Sequence, residues 1–164
     1  MSIFENEKSK TSNSRRFLEF HLGEESYCVE LLQVKEVITP PELTPIPKTP
    51  AYICGLMNLR GHVLTVIDAR KKLGITSLND KSQNAVIIFD INDRLVGAIV
   101  DSIQKVLNIP SESIKPVPDE GQDKGVKLLG ILQNEQKLSL WIDPESLMDG
   151  ASNHIKINNS SKVA

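Results

Sequence analysis

Two aspartates that precede helical segments are the first candidates for catalysis in this sequence. Asp68 opens "DARKKLG" and Asp143 opens "DPESLMDG". Paired carboxylates can act as general acid and general base. An aspartate at this position also caps a helix, because its carboxylate accepts hydrogen bonds from the first backbone N–H groups. Gly74 after the first segment and Pro144 at the start of the second are typical of helix boundaries, so we interpret both aspartates as N-caps.

A histidine and a cysteine could begin a metal site. Folding the first strand pair across "GEES" pairs Leu22 with Tyr27 and places His21 opposite Cys28. Zinc needs three or four ligands, and no further Cys or His stands at ligand spacing. Cys54 lies in an apolar segment, where a cysteine usually packs as a small hydrophobic side chain. Because the sequence also lacks a phosphate-binding glycine loop and a nucleophile elbow, it predicts no enzyme, no metal and no cofactor.

The same strand pairing predicts a hydrophobic face. It places Phe20 opposite Val29 and Leu18 opposite Leu31. Side chains alternate between the faces of a strand, so these residues share one side of the hairpin. The other side would carry a half-exposed imidazole beside a thiol.

The composition argues against several classes of partner. Charged residues make up 24% of the 164-residue chain, aromatic residues make up 4%, and the formal net charge is −2. Nucleic-acid binding usually needs a basic surface or aromatic stacking platforms, so we expect neither nucleic acid nor an anionic membrane as partner. No apolar run is long enough to insert into a bilayer, and the N-terminus lacks a secretory signal. Two cysteines without a pairing pattern favour reduced thiols in the cytoplasm.

Short apolar segments predict an all-β fold with short helices. Segments rich in Val, Ile and Leu are broken about every 8 to 12 residues by Gly, Pro, Asn or Asp, which is typical of small barrels and sandwiches. We place one domain at 15–150. The polar ends, 1–14 and 151–164, are expected to be a disordered N-terminal tail and a flexible C-terminal tail.

An internal duplication predicts two similar halves. Residues 16–37 align with 85–106 without a gap, and "GLMNLRGHVLTVID", 55–68, aligns with "GILQNEQKLSLWID", 130–143. Both matches occur in the same order, and a helix signal follows the second match in each half. The interpretation is two small β-barrels in tandem, a first at about 16–75 and a second at about 85–148, packed along a shared seam.

The turn in "NLRG" places an arginine at the tip of an apolar hairpin. With Arg60 at the second turn position and Gly61 at the third, glycine would supply the positive φ of a type II turn. Arg60 would then project outward without a local partner. Its counterpart in the second half is Glu135, so the fold does not require arginine here and a binding partner explains it better. Upstream, five prolines in "TPPELTPIPKTP" predict a stiff strap.

At these residues the sequence resembles a known family. "TPIPKTPAYICGLMNLRGHVLTVIDARKKLGI", 44–75, resembles the signature region of CheW-type chemotaxis coupling proteins, in which a proline-bounded "P.YI.G..NLRG.....D.R" run is characteristic. The resemblance extends from about Arg16 to Met148. It implies two tandem five-stranded SH3-like β-barrels that share a hydrophobic core, in a fold whose terminal strands can cross between the barrels.

The resemblance also implies a function and a set of binding residues. The function is a non-catalytic adaptor that couples the cytoplasmic tips of methyl-accepting chemoreceptors to the regulatory domain of the histidine kinase CheA, at membrane-associated receptor arrays. The alternative is a CheW-like regulatory adaptor of a histidine kinase in another pathway, such as surface motility. The implied partner-binding positions are Val34, Glu36, Gly55, Asn58, Leu59, Arg60, Gly61 and Val86. The apolar members would receive a helical receptor tip, and Arg60 would bond its polar groups.

Overall fold

The computed structural model describes residues 13–75, 83–119 and 125–148, and most of them lie in strands. Strands β1 to β11 span Ser14–Leu22, Glu25–Glu30, Val34–Ile38, Ile53–Leu59, His62–Asp68, Ala85–Ile91, Arg94–Val100, Ser102–Pro110, Ile114–Lys115, Leu128–Asn134 and Lys137–Ile142. Helices α1, Ala69–Leu73, and α2, Pro144–Leu147, follow β5 and β11, and 3-10 turns occupy Leu31–Gln33 and Ser111–Ser113. The predicted all-β class with short helices is confirmed.

The expected tails fall almost wholly outside the described residues. This holds for 1–12 and for the whole of 151–164. Ser14, which we assigned to the N-terminal tail, is the first residue of β1. Asn13, also assigned to the tail, is hydrogen-bonded to the rest of the fold, because its carbonyl oxygen accepts the backbone N–H of Ser111 at 2.8 Å.

The strands form two sheets, and each sheet draws on both halves of the chain. Sheet A has the order β8-β1-β2-β11-β10-β9, and sheet B has the order β3-β6-β7-β5-β4. Hairpin β1–β2 of the first half therefore lies in sheet A, and hairpin β6–β7 of the second half lies in sheet B. Each exchanged hairpin is joined to its sheet on both sides, by antiparallel pairing of β1 with β8 and of β6 with β3, and by parallel pairing of β2 with β11 and of β7 with β5. The sheets thus divide the chain differently from barrels at about 16–75 and about 85–148.

In the described residues, three hydrophobic clusters give each sheet its own interior and a core shared with the other. The central cluster includes Phe20 and Phe89, which the duplication aligns and which are both fully buried. Burial of each phenyl ring contributes about 2 kcal/mol. The interior of sheet A consists of Phe17, Cys28, Leu107, Ile109, Leu132 and Trp141, and that of sheet B of Met57, Leu59, Leu64, Val66, Val86 and Ile88. This is the predicted pair of SH3-like barrels with a shared core.

The two sheets differ in strand number. Sheet B has the five strands that the family resemblance implies. Sheet A has six, because the two-residue strand β9 pairs with β10 through Lys115 opposite Ile131 and Ile114 opposite Leu132.

The first hairpin differs from the predicted register by two residues. Leu22 pairs with Glu25, and Phe20 pairs with Tyr27, so the predicted pairings across "GEES" are wrong. The turn is the two-residue Gly23-Glu24, and Gly23 has the positive φ, 63°, that short hairpin turns favour. A shift of two residues leaves every side chain on its face, so the predicted apolar face is confirmed and packs into the central cluster.

The predicted cross-strand pair of His21 and Cys28 is also wrong. His21 lies opposite Ser26, and Cys28 lies opposite Glu19. Cys28 is fully buried in the interior of sheet A, and burial raises the pKa of its thiol to about 12. The thiolate is therefore scarce at neutral pH. Across the three described ranges, no three His, Cys, Asp or Glu side chains come together as metal ligands.

Both aspartates cap helices as predicted. Asp68 accepts the backbone N–H groups of Arg70 and Lys71 at 3.0 and 3.3 Å. Asp143 accepts the N–H of Glu145 at 3.1 Å, and α2 begins with proline. Gly74 ends α1 with a φ of 72°. Capping explains both carboxylates without any catalytic role.

The proline-rich strap is ordered along the edge strand β4. Thr44 and Leu56 exchange two backbone hydrogen bonds of 2.9 and 2.8 Å. Leu43 packs against the interior of sheet B, and Ile46 packs against the central cluster. Gly55 lies beneath the strap, where a Cβ atom would come within 2.4 Å of the Thr44 carbonyl oxygen. The strap can therefore pack closely against β4 because residue 55 is a glycine and has no side chain.

Substitution Gly55→Ala is expected to displace the strap. The new methyl group would overlap the Thr44 backbone, and we expect the free energy of unfolding in urea to fall by about 3 kcal/mol. Gly61→Ala is the matched control, because Gly61 also has a positive φ but has nothing within 4 Å of a Cβ position. Its cost should be about 1 kcal/mol. Equal losses in the two variants would contradict the close contact.

Substitution Thr65→Val is expected to stabilise the fold. Thr65 is 1% exposed, and its hydroxyl has no hydrogen-bond partner among the described residues. Valine has the same shape without the unsatisfied hydroxyl, so the free energy of unfolding should rise by about 1 kcal/mol. In the control Thr49→Val, a hydroxyl that donates to the Ile46 carbonyl at 2.9 Å is lost, and stability should decrease. A loss of stability in Thr65→Val would show that its hydroxyl is satisfied.

Candidate partner-binding site

The β4–β5 turn consists of Arg60 and Gly61. Their φ values are 50° and 88°, and two positive values define a type I′ turn, so the predicted type II turn is wrong. The side-chain oxygen of Asn58 accepts the Gly61 N–H at 2.8 Å, and Leu59 is buried inside sheet B. Type I′ turns favour Asn, Asp or Gly at the first central position. An arginine there costs about 1 kcal/mol in backbone strain.

Arg60 has a local partner, contrary to the prediction. Its Nη1 and Nη2 atoms donate to Oε1 and Oε2 of Glu36 at 2.6 and 2.9 Å. These hydrogen bonds lower the pKa of the Glu36 carboxyl and raise the pKa of Arg60. The Arg60 side chain is still 69% exposed, and that of Glu36 is 23% exposed. Such exposed ion pairs add little to stability, even when the geometry is bidentate.

The Glu36–Arg60 ion pair joins the two edge strands of sheet B. Glu36 lies on β3 and Arg60 follows β4, and these strands stand at opposite ends of the strand order. Contact between the two ends means that the sheet curves round on itself as a barrel. We call Glu36–Arg60 the edge pair, because it marks the place where the open edges meet.

The second half of the chain carries these two positions with the charges reversed. The duplication aligns Glu36 with Lys105 and Arg60 with Glu135. Glu135 has a φ of 58°, so the turn backbone is similar. Lys105 and Glu135 are exposed, and the ion pairs of the described residues join other side chains. Because Lys105 and Glu135 form no ion pair with each other among the described residues, the reversed charges gave no sequence signal for the edge pair.

Some of the implied binding residues lie together at the surface. Glu36, Asn58, Arg60 and Gly61 surround the β4–β5 turn. The neighbouring strand positions add exposed aliphatic area: Val37, 40% exposed, follows Glu36, and Val63, 67% exposed, pairs with Asn58. Val37 points to the opposite face of β3 from Glu36, so Val63 is the exposed aliphatic side chain on the strands next to the Arg60 turn.

The other implied binding residues lie deeper. Val34 on β3 is half-buried and packs against the central cluster, opposite Phe89. Gly55, Leu59 and Val86 are buried, and Val86 is fully enclosed in the interior of sheet B. The Val86 side chain cannot touch a partner in this conformation. Any effect of Val86 on binding would act through the packing of β6 beside β3.

A second charged network was missed by sequence reasoning. Arg70 donates from Nε and Nη2 to the Asp68 carboxylate at 3.3 Å, and its Nη1 lies 2.8 Å from Oδ1 of Asp101. The three side chains are 11%, 8% and 4% exposed. Asp68 and Arg70 belong to the quoted "D.R" motif. Asp101 is distant in the sequence, and no spacing pattern connects it to them.

The pKa of Glu36 tests the edge pair. Because Arg60 bonds the ionised carboxyl, this pKa is lower in the folded than in the unfolded chain. The pair therefore stabilises the fold above the unfolded pKa, and this contribution is lost as the pH falls through the lowered folded pKa. In Arg60→Asn, a carboxyl carbon NMR titration should show the Glu36 pKa returning upward.

The matched control removes an arginine elsewhere. Arg15 pairs with Glu30 at 3.2 Å, so Arg15→Asn should leave the Glu36 pKa unchanged. The same Glu36 pKa in Arg60→Asn and in the unsubstituted protein would contradict the edge pair.

The described residues contain no helix that is long and apolar enough to cross a membrane.

Comparison with known proteins identifies the family. Residues 16–152 match the family model of the CheW-like domain. The chemotaxis protein CheW of Rhizobium meliloti (strain 1021) is 32% identical over 116 residues, which cover 71% of this chain and 75% of that protein. The chemotaxis protein CheW of Klebsiella aerogenes is 31% identical over 135 residues, which cover 82% of this chain and 81% of that protein.

A solved structure is similar in both fold and sequence. The crystal structure of the scaffolding protein TtCheW from Thermoanaerobacter tengcongensis matches with a TM-score of 0.74 and 33% sequence identity, over 79% of this chain and 88% of that chain. Together with the family match and the two barrels that share a core, this likeness shows that the chain belongs to the CheW-like domain family.

Proposed function

We propose that this protein is a non-catalytic adaptor of bacterial chemotaxis, which couples the cytoplasmic tips of chemoreceptors to the histidine kinase CheA. The two CheW relatives are named as chemotaxis proteins, and the similar solved structure is that of a scaffolding protein. The observation that carries the proposal is Arg60, an exposed guanidinium held in one orientation at the tip of a buried hairpin. The adaptor would act in the cytoplasm, at receptor arrays.

Three properties of Arg60 indicate that it serves a partner rather than the fold. Its left-handed backbone disfavours arginine, and its exposed ion pair contributes little stability. The aligned turn of the second half folds with Glu135 in its place. Backbone strain of this kind is concentrated at functional sites, which favours a binding role for Arg60.

The edge pair would prepare Arg60 for binding. A guanidinium has five N–H donors, and Glu36 occupies one on each Nη atom. The remaining donors can bond carbonyl or carboxylate oxygens of a helical receptor tip, while Val63 supplies apolar contact. Because Glu36 already fixes the side chain, less conformational entropy is lost on binding.

The adaptor would act through geometry alone. A receptor tip and a kinase held on one rigid body can bias each other, because a ligand that prefers one arrangement shifts the population toward it. This mechanism needs two binding surfaces and a rigid connection between them, and it needs no reaction centre.

Arg60→Glu is expected to keep the fold and to weaken receptor-dependent control of the kinase. In a reconstituted receptor–kinase assay, the concentration of the variant needed for half-maximal coupling should rise by about tenfold or more, as expected for loss of a charge-assisted contact. Circular dichroism checks the fold. Coupling at the normal concentration would show that Arg60 does not contact the receptor.

A charge-exchanged variant separates partner binding from barrel closure. Glu36→Arg combined with Arg60→Glu restores an ion pair between the edge strands but presents the opposite charge to a partner. If Arg60 serves the partner, coupling stays weak in the double variant; if the edge pair alone matters, coupling returns. Glu135→Arg at the aligned turn is the matched control and should couple normally.

A further inference from the structure

Within the described residues, the chain passes between the sheets at two crossings that are built differently. The path from β2 to β3 uses the 3-10 turn Leu31–Gln33, and the path from β7 to β8 uses Asp101. The duplication aligns Asp101 with Leu32. Asp101 is 4% exposed, whereas Leu32 is 97% exposed. One crossing is therefore anchored inside the molecule, and its counterpart is not.

Asp101 makes polar contacts with both sheets. Its Oδ2 accepts the backbone N–H of Gly23 in the β1–β2 turn of sheet A, and its own N–H donates to the His21 carbonyl at 3.0 Å. Its Oδ1 lies 2.8 Å from Nη1 of Arg70, which belongs to α1 at the end of sheet B strand β5. Arg70 also bonds Asp68, the N-cap of the same helix. We call Gly23, Asp68, Arg70 and Asp101 the Asp101 link.

The Asp101 link supplies direction-dependent contacts between the two sheets, which the apolar central cluster cannot supply. Apolar contacts hold the two sheets together but depend weakly on direction. The Asp101 carboxylate accepts a directional hydrogen bond from the Gly23 N–H on one side and forms a largely buried ion pair with Arg70 on the other, so it limits the distance between the groups that it joins. Removal of Arg70 would leave two largely buried carboxylates without this cation, which favours rearrangement at the crossing.

Strand β5 connects the Asp101 link to the Arg60 turn. The strand begins at His62, directly after that turn, and ends at Asp68. Its seven residues extend over about 20 Å. The strand pairs with β4 and β7 on its two sides, so it can hold the turn at a fixed distance from the link.

We propose that Arg70 and Asp101 are positioning residues, which fix the orientation of sheet B, with its Arg60 turn, relative to sheet A. The expected effect on coupling rests on the proposed function, because an adaptor can relay a shift from one partner to the other only if the orientation of its two barrels is fixed. Neither residue needs to touch a partner. Their effect on coupling is separate from their effect on stability.

Distances between spin labels test the orientation directly. Val63→Cys on sheet B and Leu138→Cys on sheet A place labels at exposed, aligned positions, in a background with Cys54→Ser; Cys28 is fully buried. Pulsed electron paramagnetic resonance should give one narrow distance distribution for this protein. Arg70→Ala should broaden or shift the distribution, and Arg70→Lys should give a smaller change. Lys71→Ala, on the same helix, should give none.

The coupling assay then tests the consequence. Unlabelled Arg70→Ala should need at least about tenfold more protein for half-maximal receptor control of the kinase. The control is Leu132→Ala in the interior of sheet A, which loses stability without touching the Asp101 link. It should couple normally once assayed where it is folded. If Arg70→Ala does not fold, Asp101→Asn replaces it, because the amide oxygen still accepts the Gly23 N–H but the charge pair is lost.

The outcomes distinguish the inference from the proposed function. An unchanged distance distribution in Arg70→Ala or its replacement overturns the inference. Coupling equal to that of Leu132→Ala also overturns it, because the link then contributes stability only. Failure of the unsubstituted protein to couple receptor and kinase defeats the proposed function, while the distance measurement still decides the role of the Asp101 link.

Discussion

The exchange of hairpins between the two sheets is the constraint on which the rest of the structure depends. Each sheet is completed by strands from the other half of the chain, joined through the parallel pairs β2–β11 and β5–β7. Neither half can therefore close its own barrel. The hairpins also carry much of the central cluster, so each exchanged hairpin both completes a sheet and contributes to the shared core. The exchanged hairpins therefore tie the two sheets to each other.

This constraint explains why similar halves can carry different functions. The backbone is set by strand pairing, turn geometry and burial, and both halves satisfy these with different residues. Side chains at the tips of the hairpins are then free to differ. The first half places Arg60 against Glu36, whereas the second half places Glu135 and Lys105 at the aligned positions. The two halves thus share a backbone but differ in charge. The first half offers hydrogen-bond donors at its turn, and the aligned turn of the second half carries a carboxylate.

Local sequence signals predicted the elements that depend on neighbouring residues. Alternation of apolar residues identified the buried face of β1 and β2, and Asp68 and Asp143 identified two helix starts, because both signals act within a few residues. The register of the first hairpin was predicted wrongly, since a slip of two residues keeps every side chain on its face. The type of the Arg60 turn was predicted wrongly because glycine at its second central position suits type II and type I′ alike.

Long-range contacts could not be predicted from spacing. The edge pair joins β3 to the β4–β5 turn, and the Asp101 link joins Asp68 and Arg70 to a residue on the far side of β6 and β7. The exchange of hairpins was equally hidden, because the same alternation fits strands that pair within a half or across halves. Duplication narrowed the choice of fold, and the family resemblance supplied the candidate residues. Only the folded structure separated exposed Arg60 from buried Val86.

Nuclear magnetic resonance of the isotope-labelled protein, titrated with a soluble fragment of a chemoreceptor tip, maps the surface that contacts the receptor. A receptor-binding role of Arg60 predicts that the largest amide shift changes occur at the Arg60 turn and along β3, at Val34, Glu36, Asn58, Arg60 and Gly61. Changes confined to the aligned turn of the second half, Asn134 to Lys137, would contradict it, and so would the absence of any change at concentrations that support coupling.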